Sequence, residues 1–112
     1  MKTLTWQEVF EVHRQIRAIH FENGKIKSML FSTDGRRNRI NYKKGKSLFF
    51  CFIQNAAEAG KIANTMKVGD ELTVYEKLAP DVWVNIGKHK CVNIGNGKDK
   101  LNRDSFVVEV KL

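Results

Sequence analysis

The sequence contains one proline, two cysteines and no apolar run long enough to cross a bilayer. A span needs about 18 consecutive apolar residues, and the longest run here, Leu48 to Ile53, has the length of a strand. With Pro80 alone there is no proline-rich linker, and no low-complexity tract interrupts the chain. Cys51 and Cys91 are too few for a disulfide framework and read as thiols of a reducing compartment, which points to the cytoplasm. They also lack the paired Cys-x-x-Cys or His-x-x-x-His spacing that would complete a structural zinc site. Glu8 and Glu11 fall where a signal peptide would need an unbroken apolar core. Phosphate loops rich in glycine and nucleophile motifs are missing too. The reading is therefore a non-catalytic protein with no metal, cofactor or membrane to assign.

Acids are scarce in one region above all. The net charge is +8, and residues 23–57 hold eight basic side chains against one acid, Asp34. The rest of the chain holds 12 basic and 11 acidic side chains, so the excess sits in about a third of the sequence. Such a concentration favours a polyanionic partner.

At 112 residues the chain is expected to form a single domain. Thr5 and Glu8 have capping-box spacing, with Leu4 and Val9 as a hydrophobic staple, and predict a helix at about 5–14. Asn23-Gly24 between alternating segments predicts a hairpin of strands at 16–22 and 25–32, pairing Glu22 with Lys25 and Phe21 with Ile26. A second turn, Asp34-Gly35, leads to a strand at 36–42, and the loop Lys43-Lys44-Gly45 to an interior strand at 47–53. Asn55 with Glu58 repeats the capping pattern ahead of a helix at 56–67. Strands at 71–77, 82–86, 89–94 and 106–112 follow, with turns at Ala79-Pro80-Asp81 and Gly87-Lys88 and a polar loop at 95–104. The fold class is α+β and strand-rich, about seven or eight strands forming a small barrel or a sandwich. From about residue 25 the element order is that of an OB-like barrel, with a helix between the third and fourth strands.

The strongest functional signal is GRRNRINYKKGK. It holds Arg36, Arg37, Arg39, Lys43, Lys44 and Lys46 within eleven residues without an acid. Packed cations repel one another, a cost that phosphates offset, and arginine's planar fork suits phosphate oxygens. Tyr42 at the end of this segment and Trp83 among Val82, Val84 and Ile86 are candidate platforms for base stacking, with Phe49 and Tyr75 as further candidates. Aromatics in alternating strands usually pack inward, which favours a core role for all of these but Tyr42. Lys88 and Lys90 extend the basic surface. These residues point to binding of single-stranded DNA or RNA, since no helix carries the side chains expected to read a major groove. The alternative is a small basic inhibitor or adaptor that docks on an acidic protein. RNA processing would need two of His13, His20 and His89 to converge.

Overall fold

Helix α1, Trp6–His13, starts where both ends of a capping box are made. Thr5 Oγ1 accepts from the Glu8 N–H at 3.2 Å, and Glu8 Oε1 accepts from the Thr5 N–H at 3.0 Å. The computed structural model describes residues 2–15, 18–34 and 39–112. Within them seven strands form one open, mixed sheet. They are β1 (Ile19–Glu22), β2 (Lys25–Phe31), β3 (Tyr42–Lys44), β4 (Ser47–Phe52), β5 (Glu71–Ala79), β6 (Val82–Lys98) and β7 (Asp104–Lys111), and a second helix, α2, spans Ala57–Thr65. The expected α+β class and the helix between strands are both present.

The first hairpin forms as its turn chemistry dictates. Asn23 and Gly24 take φ of 53° and 77°, the mirror-image turn that needs positive φ at both centres. Glu22 pairs with Lys25 and Phe21 with Ile26, as the two-residue loop requires. Further on, several boundaries differ from expectation. Residues 39–41 are not strand, and β3 begins only at Tyr42. The expected turn at Asp34-Gly35 and the start of a strand at 36–42 fall largely outside the described residues. Lys43 and Lys44 belong to β3, paired with Leu48 and Ser47, and the turn lies at Gly45-Lys46. Gly87-Lys88 does not break the chain, because β6 runs through it as one long strand with a register shift between Cys91 and Asn93. Asn55 does not cap α2; the N-cap is Ala56, whose methyl side chain offers no acceptor.

The strands are ordered β1-β2-β5-β6-β7-β4-β3, with β2 and β5 parallel and every other neighbour antiparallel. An OB barrel proper is five-stranded and partly open; this sheet has seven strands. It is nevertheless strongly curled. β2 and β4 are four strand spacings apart in the ladder, about 19 Å if the sheet were flat. Yet Phe31 on β2 and Phe50 on β4 meet edge to face with ring centroids 5.2 Å apart. The concave side holds the main core, in which these rings pack with Met29, Leu48, Val74, Val108 and Val110. Ala59 and Ile62 of α2, with Met66 at its C-cap, close this core.

Side chains, rather than a backbone ladder, tie the two flanks together where the sheet curls round. Asn41 Nδ2 donates to the Ser32 carbonyl at 2.9 Å, and Asn41 Oδ1 accepts from the Cys51 N–H at 2.7 Å. Lys43 of β3 makes an ion pair with Glu76 of β5. On the convex side, α1 covers a smaller cluster of Val9, Leu30, Tyr75 and Trp83.

The Phe31–Phe50 contact makes a clear prediction. Phe50→Ala should lower the unfolding free energy by about 3–5 kcal/mol, because a fully buried ring leaves a cavity that neighbours on two flanks cannot fill. Urea unfolding followed by tryptophan fluorescence measures it.

Candidate nucleic-acid interface

Cross-strand partners project to the same side of a sheet, so the registers state which residues share the convex face. One row runs Lys44 (β3), Ser47 (β4), Lys111 (β7), Lys90 (β6) and Glu71 (β5). The next row on that face runs Tyr42, Phe49, Glu109 and Asn93. Lys88 stands two residues from Lys90 and shares its side, opposite Thr73. Lys46 sits in the turn beside the first row, and its carbonyl accepts from the Leu112 N–H at 2.7 Å. The lysines are exposed and the two rings half-buried.

The rings of Tyr42 and Phe49 are stacked, with centroids 4.6 Å apart and planes at 6°. Burial, with the neighbouring Cys51, Glu109 and Asp99, pushes the Tyr42 phenol above its ordinary pKa, so it stays protonated at neutral pH. The acids of these two rows are Glu71 and Glu109, and Glu109 accepts from Ser47 Oγ at 2.7 Å.

Of the expected site residues, Tyr42, Lys44, Lys46, Lys88 and Lys90 thus come together on one face. Lys43 does not, since it pairs with Glu76 across the curl. Trp83 lies on the convex side but is only 7% exposed, packed against Trp6 with ring centroids 5.5 Å apart. Arg36 and Arg37 lie outside the described residues. Phe49, a stacking candidate whose alternating apolar strand favours a core role, joins the face, and so does Lys111, which the sequence does not single out. Only the β4–β7 pairing brings Lys111 beside Ser47.

Arg39 sits at the far end of β3, in a segment that is pinned firmly. Its Nε donates to the Asp104 carbonyl at 2.9 Å. The Ile40 N–H donates to Asp99 Oδ2 at 3.0 Å, and the Lys100 N–H to the Ile40 carbonyl at 3.2 Å. Asp99 is the hub of this network. Its side chain has no solvent exposure and accepts from the N–H groups of Leu101 and Arg103 and from the Arg103 guanidinium at 2.7 Å. Burial alone would raise its pKa, but the hydrogen bonds from Arg103 and the backbone outweigh that and hold the carboxyl well below its usual range.

Between this segment and α1 lies a cleft of about 640 Å³. Trp6, Leu30, Trp83, Phe52, Ile53 and Pro80 supply much of its apolar wall, and Arg39, Glu58, Lys77 and Asp81 line it as well. Lys77 Nζ lies 2.7 Å from Asp34, whose pKa is lowered by hydrogen bonds from Lys77 and then Ser32. Burial, then the Asp99 charge, pushes the Cys51 thiol in the cleft wall up to about 12, which keeps it out of nucleophilic chemistry near neutral pH. Elsewhere His13 and His20 do approach, with ring centroids 5.8 Å apart. His13 is buried and bonded through Nδ1 to Ser28 Oγ at 2.6 Å. Among the described residues no helix is long and apolar enough to cross a membrane.

Neither a family model nor a curated protein matches this sequence. Among solved structures, the fold matches a modification-dependent TagI restriction endonuclease with a TM-score of 0.68 and 9% sequence identity. The match covers 97% of this chain and 47% of that one, so the chain spans about half the length of the endonuclease. This corrects the expectation of a non-catalytic protein: nearly the whole fold recurs within an enzyme, and the fold gives no ground for setting enzymes aside. At this identity the likeness is one of fold, and it is a fold that occurs in a protein acting on nucleic acid.

The Asp99 hub predicts a specific acid sensitivity. Its carboxyl has a lower pKa folded than unfolded, so its contribution is fully present above about pH 4 and is lost as pH falls from there toward the folded value. Asp99→Asn should cost about 3 kcal/mol at pH 7, the lower end for one partner of a buried pair, because Arg103 is partly exposed. The gap between parent and variant should narrow below about pH 4. Urea unfolding at a series of pH values reads both effects.

Proposed function

We propose that this domain binds nucleic acid, preferentially single-stranded DNA or RNA, across the convex face of β3, β4, β7 and β6. One observation carries the reading: the stacked Tyr42–Phe49 pair stands in a row directly beside Lys44 and Lys111, with Lys90 next in that row. A strand lying here neutralises its phosphates on the lysines and stacks a base against the ring surface that the half-buried aromatic pair leaves accessible. Every base has a π-face, so such a platform tolerates any sequence. Single strands are favoured because their bases are already unpaired, while a duplex would have to open first.

Arg36, Arg37 and Arg39, which precede β3 in the chain, are proposed as further phosphate contacts. The TagI enzyme is described as modification dependent, so oligonucleotides with modified bases belong in any panel of ligands. Two buried cysteines without a bridge support a reducing, cytoplasmic setting.

Counterion release supplies the test. Log affinity for a single strand should fall with log salt at about −0.7 per phosphate contact, or roughly −3 for four engaged lysines. Replacing Lys44, Lys90 and Lys111 by alanine should remove about 2 from that slope and weaken all sequences alike. Phe49→Ala should cost about 1–3 kcal/mol with little change in slope, since stacking releases no counterions. Fluorescence anisotropy of labelled single strands and duplexes across a salt series measures all three. A parent that fails to bind at low salt would sink the proposal and leave an acidic protein partner as the reading to pursue.

A further inference from the structure

Apart from Arg39, which lines it, the cleft between α1 and the Arg39 segment takes no part in the phosphate and stacking contacts just described. We infer that it seats one unpaired base of the bound strand, an inference that rests on the nucleic-acid reading and deepens it. Three observations lead there. The first is position. Along β4 the outward residues are Ser47, Phe49 and Cys51, in the lysine row, the aromatic row and the cleft wall respectively. Alternate residues of a strand are about 7 Å apart. A nucleotide stacked at Tyr42–Phe49 therefore has its neighbour at the mouth of the cleft.

The second is chemistry. The polar groups around the cleft are mostly engaged with the protein itself. Lys77 is paired with Asp34, and Asp81 Oδ1 accepts from the Trp6 N–H at 2.8 Å. Both ends of the Asn41 amide are used, by Ser32 and Cys51. A small charged ligand would thus find few partners, whereas Trp6, Leu30, Ile53 and Trp83 offer apolar and π surface. A flat, largely apolar group with polar edges fits such a site, and a base is one. Arg39 lines the same cleft and supplies the positive charge that the base's own phosphate needs.

The third is rigidity. Trp6 is half-buried, and its segment is fixed on both sides. Leu4 and Trp83 exchange backbone hydrogen bonds of 2.7 and 2.8 Å, the capping box sets the start of α1, and Asp81 holds the Trp6 N–H. A wall held in place loses little freedom on binding, which favours a preformed site. Its volume lies within the range of about 300–1,000 Å³ usual for small-molecule sites.

Uncharged nucleosides separate this inference from the reading beneath it, because they carry no phosphate for the lysine face. The full chain, labelled with ¹⁵N, is titrated with adenosine and with cytidine. Shifts should appear at the Trp6 indole and at Ala18, Ile53 and Ala56, saturating at roughly millimolar nucleoside. The amides of Lys44, Lys90 and Lys111 should stay still. Ala56→Phe, which fills the cleft, should abolish the shifts. In oligonucleotide binding the parent should prefer an intact single strand by about tenfold over one with a single central abasic site, and Ala56→Phe should lose that preference while keeping the salt slope. Unmoved cleft resonances in the parent at saturating nucleoside would overturn the inference even if strands bind the lysine face. Nucleoside shifts without any strand binding would instead overturn the lysine-face reading. The parent titration decides the matter even if the variant fails to fold.

Discussion

Phe31 on β2 and Phe50 on β4 touch inside the sheet although three strands lie between them in the ladder. That contact exists only because the sheet is rolled, and the roll determines what each face can do. The concave side becomes dry enough to hold the aliphatic and aromatic core, with α2 packed into it. On the convex side α1 covers only the flank built from β2, β5 and the start of β6. On the other flank, β3, β4, β7 and the middle of β6, Lys44, Lys90 and Lys111 stay exposed and Tyr42, Phe49 and Glu109 half-buried. Burial by α1 commits Trp83 to packing, whereas Tyr42 and Phe49 stay half-buried.

A second constraint holds the loops to this frame. Asp99 is a buried carboxylate, and burying a charge is costly unless partners replace the lost water. Here Arg103 and three backbone N–H groups do so, from Ile40, Leu101 and Arg103 itself. The same carboxylate therefore shapes the β6–β7 connection and anchors the segment that carries Arg39 into the approach to β3. The cleft and the lysine row lie at opposite ends of β3 and β4, joined by the Tyr42–Phe49 pair. Within a basic segment that looks like a single cluster in the chain, Arg39 and Lys44 in fact stand at opposite ends of this line.

Much of the local structure was legible in the sequence, for reasons that act over short range. The Thr5–Glu8 box, the Asn23-Gly24 turn with its register, and the existence of the second helix each depend on neighbours within a few residues. The α+β class and the charge excess followed from pattern and composition. The cap of α2 was misread because Asn55 has the right spacing but sits one residue ahead of the true N-cap, Ala56. Gly87-Lys88 resembled a turn because glycine is common in turns, yet here it lies within the continuous β6.

What the sequence by itself determined is most of the elements and the excess of positive charge, since caps, turns, alternation and net charge are properties of adjacent residues. What only the tertiary structure decided is which cations act together. Lys43 and Lys44 are neighbours in the chain but face opposite sides of a strand, so one closes the curl against Glu76 and the other joins Lys111 and Lys90. Lys111 is 67 residues from Lys44 in the chain and shares its row only because β4 pairs with β7. Pairing between distant strands depends on how the sheet buries its apolar face as a whole, and no local pattern encodes that choice.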